Sequence, residues 1–257
     1  MPTELKNVKP KTANQHRIFD LYEKNHNLYI KGTAGTGKSF ISMYLGLKDV
    51  LAFNKFREMV IIRSTVPTRK QGFLPGNDEE KNEIFEIPYE IICSKLLGNE
   101  NAYKNLKSRE LIRFLSTSYL RGTTFEDALI FVDEVQNFND GEINTVMTRL
   151  GQRCQIIICG DTHQNDLVYM HEDSCIDRLD KTIAQMPSFK TVEMEIKDIQ
   201  RNDVVREWIV ARSQVANTVP EKPKGPLTYL VEKGADTLPK FITGGDETYP
   251  DRYGKDG

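Results

Sequence analysis

A glycine-rich segment at residues 32–39 has the composition and spacing of a phosphate-binding loop. It reads Gly-Thr-Ala-Gly-Thr-Gly-Lys-Ser and matches the pattern G-x-x-x-x-G-K-[ST]. Its glycines let successive backbone N–H groups turn toward one point at the start of a helix, where they bind phosphate oxygens. In this pattern Lys38 reaches the β and γ phosphates and the Ser39 hydroxyl binds Mg²⁺. We predict that a nucleotide's phosphates are held by Gly32, Thr33, Ala34, Gly35, Thr36, Gly37, Lys38 and Ser39.

Two carboxylates, Asp133 and Glu134, directly follow the apolar run at residues 129–132. At the carboxyl end of a buried strand Asp133 can hold Mg²⁺, partly through water, because the cation offsets the burial of a charged group. Glu134 is free of the metal and is expected to orient and polarise the water that attacks the γ phosphate. The pair therefore favours hydrolysis over phosphate transfer by a nucleotide kinase, which also carries a phosphate loop.

A polar turn at residues 160–164 follows a third apolar run, residues 156–159. Gln164 is the candidate sensor of the γ phosphate, because an amide both donates to phosphate and accepts from water. His163 is an alternative base, but Glu134 already fills that role, and we interpret His163 as a surface or hydrogen-bonding residue. The nearby cysteines, including Cys154 and Cys159, favour buried thiols over a metal site, since Cys159 ends an apolar strand-like run.

The apolar pattern predicts the elements that position these residues. Short β-branched runs at 28–30, 59–62, 129–132 and 156–158 are typical of strands buried on both faces. Helical spacing predicts helices over residues 40–53, 84–97, 102–115 and 140–150. The alternation predicts an α/β fold with a parallel sheet and helices on both faces. Together with the phosphate loop and the acidic pair, it predicts a P-loop NTPase with a RecA-like sheet.

Composition limits the function and sets the domain boundaries. The 257 residues carry 37 acidic and 35 basic side chains, which argues against a surface that is polycationic as a whole. Apolar runs fall far short of the ~20 residues of a membrane span, and the polar N-terminus has no signal-like block, so we expect a cytoplasmic protein without membrane contact. We predict an N-terminal helical segment at 1–27, an ATPase core at 28–212 and an extended tail, rich in proline and glycine, at 213–257.

With these motifs in place, the chain resembles PhoH-family ATPases, which are related to superfamily 1 helicases. The resemblance runs from about residue 11 to residue 212 and includes Gly-Phe-Leu-Pro-Gly at 72–76 and Asp-Glu-Val-Gln-Asn at 133–137. The family includes longer proteins with an RNA-cleaving domain, and nothing in this sequence provides one. We expect a stand-alone, phage-type version in the cytoplasm of a host cell.

The resemblance also implies roles for residues outside the phosphate loop. Gln15 matches the glutamine that reads adenine, and Arg201 matches an arginine that points at the γ phosphate, with Arg206 in reserve. Family hexamers imply a ring in which Arg201 acts on the neighbouring subunit. Kinship with helicases implies contacts to RNA or single-stranded DNA through Arg63, Arg69, Lys70 and Phe73, although Phe73 equally suits a subunit interface.

Two functions stay open at this point. The first is a ring-forming, Mg²⁺-dependent ATP hydrolase that moves along or remodels RNA or single-stranded DNA. The second is an ATP-driven switch or assembly factor whose partner is a protein. Strand-stimulated hydrolysis with a steep salt dependence distinguishes the two.

Overall fold

The computed structural model describes residues 4–64, 78–120, 122–161 and 175–218. The strands are β1 (Asn27–Gly32), β2 (Glu58–Arg63), β3 (Ile112–Ser116), β4 (Ala128–Asp133), β5 (Gln155–Gly160) and β6 (Phe189–Met194). The helices are α1 (Ala13–Glu23), α2 (Lys38–Leu51), α3 (Asp78–Leu97), α4 (Ala102–Ser108), α5 (Asp140–Met147), α6 (Ile176–Ile183) and α7 (Asp203–Thr218). Within these ranges no helix is both long and apolar enough to cross a membrane.

The six strands form one parallel sheet in the order β3-β2-β4-β5-β1-β6. Successive strand residues pack on opposite faces, because side chains alternate along a strand. Ile61 and Phe131 join the core beneath α1 to α4, whereas Val60 and Ile130 join the core beneath α5 and α6. The predicted parallel α/β fold with helices on both faces is confirmed.

Two edge strands differ from the prediction. The predicted helix over residues 102–115 is wrong in its second half: α4 ends at Ser108, the chain turns through Glu110 at φ 57°, and β3 begins at Ile112. Strand β6 had no counterpart in the prediction. Both strands contain polar or charged residues between their buried apolar ones, so they lack the continuous apolar run of a central strand.

The chain divides into two units at Ala211, and the sheet lies in the first. Of the second unit, only residues 212–218, the end of α7, are described. Residues 213–218 are helical, so the start of the predicted extended tail is corrected to helix. The rest of that tail lies outside the described residues.

Gly32, the last residue of β1, packs against the backbone of β6. It has φ +131°, and an added Cβ would lie 2.1 Å from the carbonyl oxygen of Met194. Because this obstacle is backbone and the φ is unfavourable for other residues, we expect Gly32→Ala to lower the free energy of unfolding by about 2–5 kcal/mol.

Urea denaturation measures this effect, and Gly122→Ala is the matched control. Gly122 also has a positive φ, +83°, but a Cβ there meets no atom of the described residues within 4 Å. Its substitution should cost only the conformational strain, about 1–2 kcal/mol. Equal losses in the two variants would contradict a steric role for Gly32.

Candidate active site

The predicted phosphate loop connects β1 to α2 at the carboxyl edge of the sheet. Gly35 and Gly37 adopt φ +81° and +90°, and Gly37 is the N-cap of α2, so backbone N–H groups gather at the start of the helix. Lys38 Nζ donates to the carbonyl oxygens of Gly32 at 2.6 Å and Thr33 at 2.9 Å. The ammonium is thereby held over the loop, and it has a third N–H to offer.

Gln15 supports the loop from α1. Its Oε1 accepts from the backbone N–H of Lys11 at 2.8 Å, and its Nε2 donates to the carbonyl of Thr36 at 3.1 Å. The amide is buried, with 4% of the residue exposed. The Gln15 amide has one further N–H and one further carbonyl lone pair with which it can pair with adenine. The pairing itself stays a prediction.

Ser39 and Asp133 meet where α2 begins and β4 ends. Ser39 Oγ donates to Asp133 Oδ1 at 3.0 Å, and the hydroxyl of Tyr89 donates to Asp133 Oδ2 at 3.0 Å. Tyr89 is fully buried in α3, and its ring contacts Phe131 edge to face at a centroid separation of 6.2 Å. The carboxylate is thus oriented by a hydroxyl on each of its oxygens.

The electrostatics around Asp133 favour a cation. Burial raises the pKa of Asp133 above its usual value, the neighbouring Glu134 raises it further, and Arg63 opposes both. Burial also disfavours the charged form of Arg63, but Tyr89, Asp133 and Glu134 outweigh this effect and raise its pKa. Arg63 therefore lies within the site, half-buried beside the acidic pair, and its Cζ is 5.8 Å from the ring centroid of Phe85.

Glu134 follows β4 in a left-handed conformation, φ 55° and ψ 45°. This region is uncommon for a residue with a side chain, and such strain is concentrated at functional sites. Gln136 Nε2 donates to Glu134 Oε2, while Gln136 Oε1 accepts from the backbone N–H of Asp161 at 2.9 Å. The buried Gln136 amide therefore links the predicted catalytic carboxylate to the end of β5.

Arg201 packs against the phosphate loop of its own chain. A Cβ on Gly35 would lie 3.0 Å from Arg201 Cγ, and the Gln200 N–H donates to the Gly35 carbonyl at 2.9 Å. Asp198 anchors this segment, because its Oδ2 accepts from Asn14 Nδ2 at 2.7 Å and from the Glu195 N–H at 2.8 Å.

Although burial opposes the charged form of Asp198, hydrogen bonds from the Thr12 and Asn14 side chains and the Glu195 N–H outweigh burial and lower its pKa. These hydrogen bonds thus favour the charged carboxylate of Asp198. Its hydrogen bonds tie the segment before Arg201 to the start of α1.

A cavity of about 850 Å³ extends from the loop toward α3 and the N-terminal segment. Its polar lining includes Lys38, Ser39 and Glu134, and three lysines, Lys9, Lys11 and Lys95, also line it. The apolar part of the lining consists of Val8, Phe40, Ile41, Pro88, Ile91 and Ile92. A cavity with both kinds of lining suits a ligand that has a charged tail and a flat, weakly polar ring.

The structure brings most of the predicted site residues to this cavity. Gln15, Lys38, Ser39, Asp133, Glu134 and Arg201 all line it, and Arg63 lies beside the acidic pair. Gln164, Arg69, Lys70 and Phe73, together with the alternative base His163, lie outside the described residues. The sequence analysis missed Tyr89 and Asp198, because each contacts the site from a distant part of the chain. For Gln136 a signal existed: it belongs to the motif at 133–137.

The residues at this site fit Mg²⁺. A buried carboxylate and a hydroxyl 3.0 Å apart offer oxygen ligands, and a bound cation would offset the burial and the Glu134 charge that raise the pKa of Asp133. Tyr89 supplies the outer hydrogen bond that orients the carboxylate. Ser39 and Asp133 would hold the ion.

A phosphate loop between β1 and α2, with an acidic pair at the end of β4 and β5 lying between β1 and β4, defines a P-loop NTPase. Comparison with family models gives a narrower assignment. Residues 7–213 match the model described as "PhoH-like protein". The chain therefore belongs to the PhoH-like family, which confirms the resemblance found in the sequence.

Curated relatives carry the same description. The PhoH-like protein of Synechocystis sp. is 28% identical over 84% of this chain and 66% of its own length. That of Mycobacterium leprae is 32% identical over 81% of this chain, and that of Bacillus subtilis is 27% identical over 80%. The chain spans 59% of the M. leprae protein and 64% of the B. subtilis protein.

Two solved structures resemble this chain at low identity. Pif1 helicase from Candida albicans aligns with 73% of this chain and 41% of its own at 17% identity, with a TM-score of 0.38. The large terminase of a thermophilic bacteriophage, solved with ADP, aligns with 78% of this chain and 49% of its own at 12% identity, with a TM-score of 0.43. Because both scores are below 0.5, the fold assignment rests on the sheet topology.

Proposed function

We propose that this protein is a Mg²⁺-dependent ATP hydrolase. The observation that carries the proposal is the convergence of Lys38, Ser39, Asp133 and Glu134, from the start of α2 and the end of β4, on a single cavity. The phosphate loop supplies backbone donors and one ammonium for the phosphates, and the cavity, at about 850 Å³, has room for the rest of a nucleotide. The buried acidic pair suits water as the acceptor.

In this mechanism the chain's own groups position water and stabilise charge. Glu134 accepts a hydrogen bond from the attacking water and takes its proton as the oxygen bonds to the γ phosphorus and the bond to ADP breaks. Gln136 fixes the Glu134 carboxylate, and Lys38 donates to the phosphate oxygens. Mg²⁺, when bound, neutralises part of the phosphate charge.

Arg201 is proposed to complete this site within the same chain. Its packing against Gly35 supports action on its own phosphate loop, which reverses the prediction from the sequence that it reaches a neighbouring subunit. A guanidinium at this position stabilises the charge that develops on the transferred phosphate. Gln164 remains the predicted γ-phosphate sensor.

We propose that ATP hydrolysis drives movement along, or remodelling of, RNA or single-stranded DNA, in keeping with the resemblance to helicases. One observation favours the alternative of a protein partner: α7 leaves Val204 74% and Trp208 67% exposed. Large apolar side chains at such exposure are typical of a surface that another protein covers. The hexameric ring, the cytoplasmic location and the phage origin stay predictions of the sequence analysis.

The test is ATP hydrolysis by the purified protein with and without single-stranded RNA or DNA, at two salt concentrations. Stimulation by one strand type that falls steeply with salt supports a nucleic-acid-dependent motor. Hydrolysis that is indifferent to both strands favours the protein-directed switch. No hydrolysis at any Mg²⁺ concentration contradicts the ATPase proposal.

Tyr89→Phe should weaken Mg²⁺ binding while leaving the fold intact. The change removes the hydroxyl that orients Asp133, and loss of such outer partners lowers metal affinity by about 10–100-fold. We expect the Mg²⁺ concentration for half-maximal hydrolysis to rise by about tenfold.

Tyr103→Phe is the control for this experiment, since Tyr103 is also buried and donates to a carboxylate, Glu86, at 2.6 Å. It should leave the Mg²⁺ dependence of hydrolysis unchanged. Equal Mg²⁺ dependence in both variants and the wild type would count against a role for Tyr89 in orienting Asp133.

A further inference from the structure

A second cavity, of about 330 Å³, lies where β2 and β3 begin and α4 ends. Because the strands are parallel, this edge of the sheet is opposite the edge that carries the phosphate loop. The described residues lining the two cavities do not overlap. The lining is rich in charge, with four basic and two acidic side chains: Arg57, Lys107, Arg109, Arg113, Glu58 and Glu110.

The fold gathers basic residues that the sequence had dispersed. On the predicted helix over 102–115, Lys107, Arg109 and Arg113 would point in different directions. In the structure the helix ends at Ser108, and the Leu111 N–H closes a tight turn by donating to the Leu106 carbonyl at 3.0 Å. Strand β3 then pairs with β2, which brings the three side chains to one cavity with Arg57.

Carboxylates occupy part of this cluster: Lys107 Nζ pairs with the buried Glu86 at 2.8 Å, so the free hydrogen-bonding capacity lies mainly on the arginines. Glu58 is buried and accepts from Arg57 Nη2 at 2.9 Å and from Arg113 Nε and Nη2 at 3.1 and 3.0 Å. Each guanidinium has five N–H donors, so most of those on Arg57 remain available. Within the described ranges Arg109 forms no ion pair, and its side chain is exposed.

We propose that this cavity is a second binding site for phosphate groups, separate from the nucleotide site. Guanidinium groups match phosphate oxygens with paired, parallel hydrogen bonds, and Glu58 holds two of the three guanidiniums in fixed positions. The concave shape distinguishes the cluster from scattered surface charges, and the volume suits a small ligand. The phosphate belongs either to the backbone of a single strand or to a free phosphoanion, since both present the same oxygens.

The test uses Arg109→Glu, because Arg109 is exposed and contributes no described ion pair to the fold. Each measurement is made in the Lys38→Ala background, which weakens phosphate binding at the first site. One arm measures the fluorescence anisotropy of a labelled single-stranded 20-mer at several salt concentrations, and the other titrates inorganic pyrophosphate by calorimetry. Lys181→Glu on α6 is the matched control, an exposed lysine given the same charge change.

We expect Arg109→Glu to weaken one of the two probes by at least tenfold, and Lys181→Glu to leave both unchanged. If the affinity for the 20-mer falls, and the slope of log affinity against log salt concentration becomes shallower by about one, the ligand is the backbone of a single strand. Loss in the pyrophosphate arm identifies a free phosphoanion. Unchanged affinity in both arms, or an equal loss in Lys181→Glu, overturns the proposal.

A separate measurement distinguishes failure of this proposal from failure of the proposed ATPase. Strand-free ATP hydrolysis by Arg109→Glu, made with an intact Lys38, should equal that of the wild type, because Arg109 lies at the opposite edge of the sheet. A thermal melt compares the stability of each variant with its parent.

Discussion

Glu134→Gln should lower the kcat for ATP hydrolysis by about 10²–10⁴-fold while ATP binding stays within a fewfold of the wild type. The amide keeps the size of the side chain but cannot take a proton from the attacking water. The Gln136 contact and the left-handed backbone hold the side chain of residue 134 in position. Single-turnover hydrolysis and the binding of a fluorescent ATP analogue measure the two quantities separately.

Glu193→Gln is the control, because Glu193 is an exposed glutamate at the end of β6 and undergoes the same chemical change. Its kcat should match the wild type. Hydrolysis by Glu134→Gln at the wild-type rate would show that another group activates the water. His163 and Gln164 would then be the next residues to substitute.

Arg201→Ala should lower kcat by about 10³-fold or more, with little change in nucleotide affinity. The guanidinium stabilises mainly the charge that develops on the transferred phosphate in the transition state. Its loss therefore lowers kcat more than it lowers nucleotide affinity. Arg206→Ala is the matched control, since Arg206 lies on the exposed first turns of α7 and does not line the cavity. A larger loss in Arg206→Ala would transfer the role to that arginine.

Mixing experiments decide whether Arg201 acts within its own subunit. Arg201→Ala subunits keep an intact phosphate loop, and Lys38→Ala subunits keep an intact Arg201. Because Arg201 packs against its own Gly35, we expect no recovery of hydrolysis at any mixing ratio. Recovery in mixtures would establish action between subunits, as the ring model from the sequence implied.

Much of the active site could be predicted from the sequence because its chemistry depends on short local patterns. The phosphate loop needs glycines and a lysine at fixed spacing, and the acidic pair needs an apolar strand immediately before it. Continuous apolar runs likewise identified β1, β2, β4 and β5, since strands buried on both faces have no polar side to alternate with.

Contacts between distant segments could not be predicted in this way. Tyr89 reaches Asp133 across 44 residues of chain, and nothing near either residue marks the pair. The position of Arg201 on its own loop depends on how the segment after β6 returns to α1 through Asp198 and Asn14. Such pairings follow from the packing of the whole sheet.

The sequence by itself determined the chemistry of the nucleotide site and the family, because both rest on residue types at fixed local spacing. Only the tertiary structure decided which distant groups orient that chemistry and where the remaining charges gather. The basic cavity shows the difference: Arg57 and Arg113 are far apart in sequence, and only the pairing of β2 with β3 brings them onto one carboxylate. Long-range strand pairing is set by the total burial of the sheet, which no single segment encodes.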